Sequence, residues 1–336
     1  MIRTLTVLIA IFAILVILFS IPGIQTFFGK KLTNYLNETY DVDLSIGRIG
    51  LTYSGNLDLQ EVFIKDHHKD TLIYAKAIEG SILNLKEITK GQPELGAVAI
   101  DSLDFNMKIY EGESSDNLMI FVRKFNTEKK RERSSFVLTA EEVTVENGAF
   151  SYVNENISNP EVLDFTNIFI DAEDLKVDGP DFYITTNTLS LKEARGLDVS
   201  NLQTKFSLTE TQMLFRDFNL ETQDSKIMGE IALSYTKENF SDFENKVDIP
   251  AAFTEADMST NDLIPFYKEF GKDHTITFDN TVLRGTLNDF KLIDANILGL
   301  DRTIIRGDLH IQNAVSDPKN FKLNGKFDNL TTNYYD

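Results

Sequence analysis

The residues best suited to chemistry in this chain are two adjacent histidines, His67 and His68, within the segment KDHHKD. Imidazoles and carboxylates are typical zinc ligands, and an imidazole can also act as a general acid or base. The segment separates two runs with the alternation of β-strands. We therefore interpret it as a polar hairpin tip and predict no metal site there. His274 and His310 are isolated in the sequence.

Two acidic runs could in principle bind Ca²⁺ or supply an acid/base pair. One contains Asp171, Glu173 and Asp174, and the other is Glu141 with Glu142. The EF-hand spacing, with its central Gly and distal Glu, is absent, so we interpret both runs as solvated strand ends. The chain also lacks a nucleophile elbow, a phosphate-binding loop, a dinucleotide Gly fingerprint and an HExxH motif. We predict a protein that is not an enzyme and needs no cofactor.

Composition excludes further classes. The 336 residues contain no Cys, which rules out disulfides, thiolate zinc sites and Cys nucleophiles. Acidic residues outnumber basic ones 52 to 33, giving a net charge of −19. Because nucleic-acid binding needs a concentrated basic face, we expect no nucleic-acid partner. With 25 Phe and 11 Tyr, the chain has ample apolar material for a core.

The N-terminus is predicted to be a membrane anchor over residues 1–22. The stretch from Leu5 to Ile21 carries no charge, and its 17 residues give about 25 Å of helix, enough for a thin bilayer core. A cleaved signal peptide is the alternative, but the apolar run is long and the sequence SIPG after it is a poor cleavage site. The apolar residues that we expect to face lipid are Leu5, Leu8, Phe12, Leu15, Leu18 and Ile21.

Residues 23–40 follow as a predicted amphipathic helix. Phe28, Leu32, Tyr35 and Leu36 share one stripe at helical spacing. Such a helix can lie on a membrane surface or cap the sheet that follows, and periodicity leaves both open. A simple count of basic residues, Arg3 before the span against Lys30, Lys31 and Arg48 after it, would place the bulk of the chain in the cytoplasm. These lysines lie well past the span and large domains translocate largely regardless of charge, so orientation stays open on charge alone.

The remaining residues, 41–336, are predicted to form one elongated β domain. Apolar and polar residues alternate with the period of two that is typical of strands, and short turn signals separate the runs. We predict an antiparallel meander of about fifteen strands. The predicted turns are Asn147-Gly148, Asp178-Gly179-Pro180, Glu111-Gly112 and Asp317-Pro318. Two helices, Ser115 to Phe125 and Ser259 to Phe270, are predicted from capping residues and apolar stripes.

A weak repeat, apolar-x-Gly-x-apolar, recurs along the second half of the chain. Its glycines are Gly229, Gly285, Gly307 and Gly325. A glycine inside a strand favours a bend or a bulge, as in a curving sheet that grows by adding strands.

Two arrangements could cover the apolar face of such a sheet. If the sheet curls on itself as an open, taco-like groove, the inner face becomes an apolar trough suited to acyl chains. An ordinary two-sheet sandwich would close the same residues into a core, and alternation alone does not separate the two. The candidates for the inner face are Leu103, Phe105, Met107, Ile109, Phe206, Leu208, Ile231 and Leu233.

The region just after the anchor carries a resemblance to a known family. The segment GNLDLQEVFIKD, from Gly55 to Asp66, is followed by DTLIYAKAI, from Asp70 to Ile78. This pattern resembles the start of AsmA-like proteins, in their TamB branch from Bacteroidetes-type bacteria. Later pieces, among them SDNL at Ser115 and VENGAF at Val145, are similar as well. The resemblance covers most of the chain and contains no catalytic signature.

The resemblance implies a location, a fold and partners. Family members are single-pass proteins of the Gram-negative inner membrane, with their bulk in the periplasm. They form long, curled sheets with an apolar groove and are implicated in carrying phospholipid to the outer membrane. The TamB branch is also linked to assembling outer-membrane β-barrel proteins with a partner barrel. We thus expect phospholipid acyl chains and the inner membrane as partners.

The chain still has strand rhythm from Phe321 to Tyr335. An unpaired last strand would expose a bare edge. We therefore expect these residues to be the N-terminal portion of a longer protein, whose missing C-terminal region would reach the barrel partner. Pairing of a nascent strand with an open sheet edge is the alternative function.

Overall fold

The protein is mainly β, with strands over 68% of the computed structural model. The structure describes residues 30–332 except 32, 35–36, 39, 52–54, 89–91, 125–136, 159, 161, 179–180, 237–238, 240–241, 266–270, 300–301, 314 and 316. The chain divides into two compact units, residues Met1–Asp171 and Ala172–Asp336.

Fifteen strands form one sheet that is not closed, in which each strand pairs with the strands before and after it in sequence. This confirms the predicted strand number and excludes a two-sheet sandwich for the described strands. The strands are β1 (Asp43–Leu51), β2 (Asn56–Lys65), β3 (Thr71–Ile82), β4 (Glu94–Ile109), β5 (Val137–Asn154), β6 (Leu163–Asp178), β7 (Asp181–Glu193), β8 (Asp198–Leu208), β9 (Gln212–Thr222), β10 (Lys226–Ser234), β11 (Ala251–Ser259), β12 (Thr275–Gly285), β13 (Asp289–Gly299), β14 (Thr303–Gln312) and β15 (Lys322–Thr331).

Short helices interrupt the strands. They are α1 (Leu85–Ile88), α2 (Asn117–Arg123), α3 (Phe243–Lys246), α4 (Thr260–Leu263) and a 3₁₀ turn (Pro318–Asn320). Two of these helices have a side-chain N-cap: Asp116 accepts a hydrogen bond from the Met119 N–H at 2.7 Å, and the Ser259 hydroxyl accepts one from the N–H of Asn261. Both polar side chains satisfy N–H groups that the helix itself cannot pair.

The strand pair β4–β5 corrects the prediction of a wholly antiparallel meander, because these two strands run parallel. The connection between Ile109 and Val137 explains the difference. A parallel pair needs a crossover of a dozen or more residues, usually with a helix, and this connection carries α2. The neighbouring strands from β1 to β4 and from β7 to β15 pair antiparallel.

The predicted turn at Asn147-Gly148 is wrong, because both residues lie inside β5. Asn147 has a φ of 55°. Asn and Gly tolerate this left-handed conformation in a turn and equally in a bulge within a strand. The Glu111-Gly112 turn lies just after β4, separated from it by Tyr110. Of the predicted Asp178-Gly179-Pro180 turn, Asp178 ends β6, and Gly179 and Pro180 lie outside the described residues.

Two glycines of the weak repeat coincide with irregular pairing, as predicted. The register shifts next to Gly229 in β10 and next to Gly307 in β14. A Cβ at Gly307 would lie 2.1 Å from the carbonyl oxygen of Lys326, and the φ of 135° disfavours any other residue. Glycine is therefore required where β14 approaches β15.

The N-terminal predictions fall largely outside the described residues. The anchor of residues 1–22 and its six lipid-facing residues lie there. The described residues between 30 and 40 are helical. In the part of the chain that the structure describes, no helix has the length and apolar character needed to span a bilayer.

Candidate functional site

An unbroken row of apolar residues crosses the second unit from β7 to β14. Each member is the register partner of the next on the adjacent strand, so all share one face of the sheet. The row is Ile184, Phe206, Phe215, Ile231, Ala251, Leu283, Leu292 and Leu309. We call this set row A. Two predicted inner-face residues, Phe206 and Ile231, belong to it.

A second row, row B, runs beside row A from β8 to β15. Its members are Leu202, Leu220, Ile227, Ala256, Phe278, Ile297, Ile305 and Leu330. Rows A and B lie on the same face, because Leu292, Leu309 and Ile297 belong to one core cluster. The predicted residues Leu208 and Leu233 extend the same face through their shared partner Met213.

Bulges keep both rows on one face. Phe215 of row A and Leu220 of row B are five residues apart, an odd spacing that would place them on opposite faces of a regular strand. Asp217 lies between them with a φ of 51°. Asn280 and Asp294 occupy the equivalent places in β12 and β13, with φ of 46° and 51°. Each inserted residue shifts the phase of the alternation by one.

The first unit repeats this arrangement. One row crosses β1 to β5 through Leu44, Ile64, Ile73, Phe105 and Phe150. A parallel row contains Ile49, Leu59, Ile78, Ile100 and Val145. The predicted residue Leu103 pairs with Ala75 on the same face as Phe105. Met107 and Ile109 continue along β4 and pair with Tyr152 and Asn154 of β5.

All eight predicted inner-face residues are half-buried, and none belongs to the buried core. Aromatic rings follow one another along these rows without closing over them. In the first unit the ring centroids of Phe105 and Phe150 are 5.4 Å apart, and those of Phe150 and Phe165 are 5.9 Å apart. In the second unit, Phe206 lies 4.8 Å from Phe215. Large apolar side chains are thus partly accessible along the rows from β7 to β10, whereas Leu292, Ile297 and Leu309 are buried.

The opposite face of the sheet is charged. Lys205 precedes Phe206 in β8, points to the other face and forms a 2.9 Å ion pair with Asp217. In the first unit Asp101 accepts hydrogen bonds from Asn147, Lys76 and Ser102. These bonds lower the pKa of Asp101 to about 2, with the bond from Asn147 as the largest cause. Exposed pairs of this kind contribute little to stability, but they keep the face hydrated.

A second candidate site lies at the turn between β2 and β3. We call it the β2–β3 corner; it contains Asp66, His67, His68, Tyr110, Glu113 and Asn117. Asp66 is buried and accepts hydrogen bonds from the Tyr110 hydroxyl at 2.6 Å and from Asn117 Nδ2 at 3.0 Å. The backbone N–H groups of His68 and Asp70 bond its other oxygen.

These bonds set the ionisation of the corner. Burial alone would raise the pKa of Asp66, but the four hydrogen bonds outweigh it and the pKa falls below its usual value. Burial and the bond to Asp66 raise the pKa of Tyr110. The corner therefore holds a carboxylate and a neutral phenol at neutral pH.

The two histidines contact the carboxylate of Glu113, which their spacing in the sequence did not predict. As predicted, they lie in the turn of an antiparallel hairpin. His68 Nε2 lies 2.8 Å from Glu113 Oε1, and His67 Nε2 lies 2.9 Å from Oε2. The bonds from His68 and His67 lower the pKa of Glu113. Glu113 is 46 residues from His67, so only the pairing of β3 with β4 brings them together.

The acidic runs and the other histidines stay apart from this corner. Asp171, Glu173 and Asp174 belong to β6, and Glu141 and Glu142 to β5. His310 pairs with a single carboxylate oxygen of Asp289 at 2.6 Å. No protein-family model matches the chain, and no match to a curated protein reaches significance.

Proposed function

We propose that this protein is a non-enzymatic conduit for phospholipid, in which acyl chains move along an apolar groove formed by the curled sheet. The observation that carries the proposal is the pair of apolar rows that cross eight strands each, whose large side chains are half-buried from β7 to β10. An acyl chain that covers such a row removes apolar surface from water. This burial stabilises the bound acyl chain by roughly 25 cal/mol per Å² of apolar surface.

The arrangement suits transport better than tight binding. The rows repeat similar apolar side chains from strand to strand, so neighbouring positions offer an acyl chain similar free energies. The charged opposite face, with pairs such as Lys205 with Asp217, would stay in water. The resemblance to AsmA-like proteins supports an inner-membrane anchor, a periplasmic location and transfer towards the outer membrane.

Photocrosslinking in the full-length protein tests the proposal. A benzophenone amino acid placed at Phe206 or Phe105 should form adducts with phospholipid in the membranes of living cells. The matched control is Lys205, which neighbours Phe206 in β8 and faces the other side of the sheet. We expect lipid adducts at Phe206 and Phe105 and few at Lys205. Equal labelling at Phe206 and Lys205, or no lipid at any site, would show that the rows do not carry lipid.

A charged substitution adds a second measurement. Phe206→Glu puts a carboxylate into row A, so we expect a folded protein with lost crosslinking at neighbouring row positions. Unfolding of this variant together with an absence of lipid adducts in the native protein would instead indicate a closed core.

Edge pairing is the second candidate function. Within the described chain the end strands of the sheet are β1 and β15, and each hydrogen-bonds to a single neighbouring strand. An edge strand offers unpaired backbone groups to an incoming strand, as an assembly factor for β-barrel proteins would require. Crosslinks from Asn324 or Asp328 to an unfolded outer-membrane protein, with none from Phe206, would favour this function over lipid transfer.

A further inference from the structure

Contrary to the prediction of no metal site at the two adjacent histidines, we propose that His67, His68 and Glu113 form a zinc site at the β2–β3 corner. The site is independent of the apolar rows and of lipid. Two imidazole nitrogens and one carboxylate supply three protein ligands, which leaves the fourth position of a tetrahedral ion open to water. Imidazole with carboxylate favours Zn²⁺ over Mg²⁺ and Ca²⁺, which prefer oxygen ligands alone.

The geometry of the three side chains is close to that of a metal site. One ligand atom from each residue lies within 4.8 Å of the other two. The closest nitrogen–oxygen separations are 2.8 Å and 2.9 Å. In a tetrahedral zinc site with bonds of about 2.0–2.1 Å, ligand atoms stand about 3.3 Å apart. With Glu113 Oε1 as the ligand, its distances of 2.8 Å to His68 Nε2 and 3.0 Å to His67 Nε2 would lengthen by a few tenths of an ångström on binding of the ion.

The backbone around the ligands is held in place by the rest of the corner. Asp66 fixes the turn through the N–H groups of His68 and Asp70. The ring of Tyr110 stacks on His68 at 3.9 Å and meets the edge of His67 at 5.5 Å. Such packing restricts the two imidazoles to few rotamers. Pre-positioned ligands lose less entropy when they bind a metal.

The nearby cation does not occupy the position of the metal. Lys108 contacts the carboxylates of Asp70 at 3.6 Å and Glu155 at 3.4 Å. Among the described residues, Lys108 forms no ion pair with the three proposed ligands. A zinc ion would thus enter a place where Glu113 supplies the negative charge.

One feature limits the affinity. The Nδ1 atom of His67 is buried and has no hydrogen-bond partner among the described residues. A metal-binding histidine usually donates its second N–H to a carboxylate or carbonyl, and loss of that partner weakens binding by about 10–100-fold. We therefore expect micromolar rather than nanomolar binding.

Occupation of the site would link two parts of the first unit. His67 and His68 belong to the β2–β3 turn, whereas Glu113 follows β4 and precedes α2. An ion bound only by the folded arrangement stabilises it by mass action. The ion would thus tie the β2–β3 turn to the segment that follows β4.

The test uses the full-length protein in detergent, without a histidine tag and stripped with EDTA. Calorimetric titration with ZnCl₂ should show one ion bound per chain at micromolar concentration, and the midpoint of thermal unfolding should rise with zinc. Cobalt chloride should give the visible absorption bands of tetrahedral Co²⁺. Glu113→Gln keeps the size of the side chain and should weaken zinc binding at least about tenfold, as should His68→Ala.

His310→Ala is the matched control, because His310 forms a close pair with one carboxylate but lacks a second imidazole. This variant should bind zinc like the native protein. Zinc binding that is unchanged in both Glu113→Gln and His68→Ala would overturn the proposal. So would the absence of saturable zinc binding and of tetrahedral cobalt bands in the native protein, a result that needs no variant to fold.

Discussion

The Tyr110 hydroxyl donates a 2.6 Å hydrogen bond to Asp66 Oδ2 across 44 residues of sequence. The bond joins the residue after β4 to the turn between β2 and β3. Tyr110 and Asp66 are both buried. An ionised carboxylate in such a place is stable only while its hydrogen bonds are satisfied, so this contact fixes the corner of the first unit.

Tyr110→Phe should lower the free energy of unfolding by about 2 kcal/mol, the usual loss for a hydrogen bond to a charged group. Urea unfolding at neutral pH measures the change. Tyr183→Phe is the control, because the Tyr183 hydroxyl lies 3.5 Å from Asp181 at an exposed position. Equal effects of the two substitutions would contradict a special role for the buried bond.

Asn147→Gly should raise the pKa of Asp101 from about 2 towards its ordinary value of 3.8. The variant removes the Nδ2 donor at 3.0 Å, and glycine accepts the φ of 55°. Titration of the Asp101 carboxyl carbon by NMR measures the shift. A pKa that stays at its native value would show that Lys76 and Ser102 are sufficient.

The same change has a consequence for stability against pH. A carboxyl with a depressed pKa in the folded state stabilises the protein above its unfolded pKa of about 3.9 and loses that effect as pH falls towards about 2. We expect Asn147→Gly to reduce the loss of unfolding free energy that occurs as the pH falls from about 3.9 to about 2. Asp101→Asn, which cannot titrate, should abolish the part of this loss that arises from Asp101.

Gly307→Ala should destabilise the second unit more than Gly196→Ala does. Both glycines have a left-handed φ, 135° and 120°, which costs another residue about 1–3 kcal/mol. Only at Gly307 would the new Cβ meet backbone, 2.1 Å from Lys326 O, whereas at Gly196 nothing lies within 4 Å. Urea unfolding of the two variants separates conformational strain from steric conflict. Similar losses would mean that β15 moves aside freely.

Asp116→Ala should cost about 1 kcal/mol through the lost cap of α2. Asp116→Asn keeps an oxygen acceptor for the Met119 N–H and should cost only a few tenths of that. Hydrogen exchange at Met119 reports the cap directly. Equal exchange rates at Met119 in the two variants would indicate that the negative charge of Asp116, and not its hydrogen bond, stabilises α2.

Much of the fold follows from local patterns in the sequence. Alternation indicated strands throughout, and the capping residues Asp116 and Ser259 marked two helix starts. The parallel pairing of β4 with β5 could not be predicted from the sequence. A long connection can return the chain to either end of the preceding strand, and that choice sets the pairing direction. A helix such as α2 in that connection is compatible with either direction.

The candidate sites could be predicted from the sequence only in part. Simple alternation found Phe206 and Ile231 but not the continuity of row A with row B, because bulges at Asp217 and Asp294 shift the period. A sequence signal for these bulges exists. It is a pair of apolar residues five positions apart with an Asn or Asp between them, such as Phe215 and Leu220. Glu113 gave no signal, since its approach to the histidines depends on strand register.

The order of the strands has a consequence for how such a chain changes over generations. Each strand of the sheet hydrogen-bonds only to the strands on either side of it in sequence. Duplication or deletion of a whole hairpin within the antiparallel stretches would thus leave every remaining pair intact. Genes of this design can lengthen or shorten their product in hairpin-sized steps, and the number of strands in the sheet becomes a trait open to selection without a new fold.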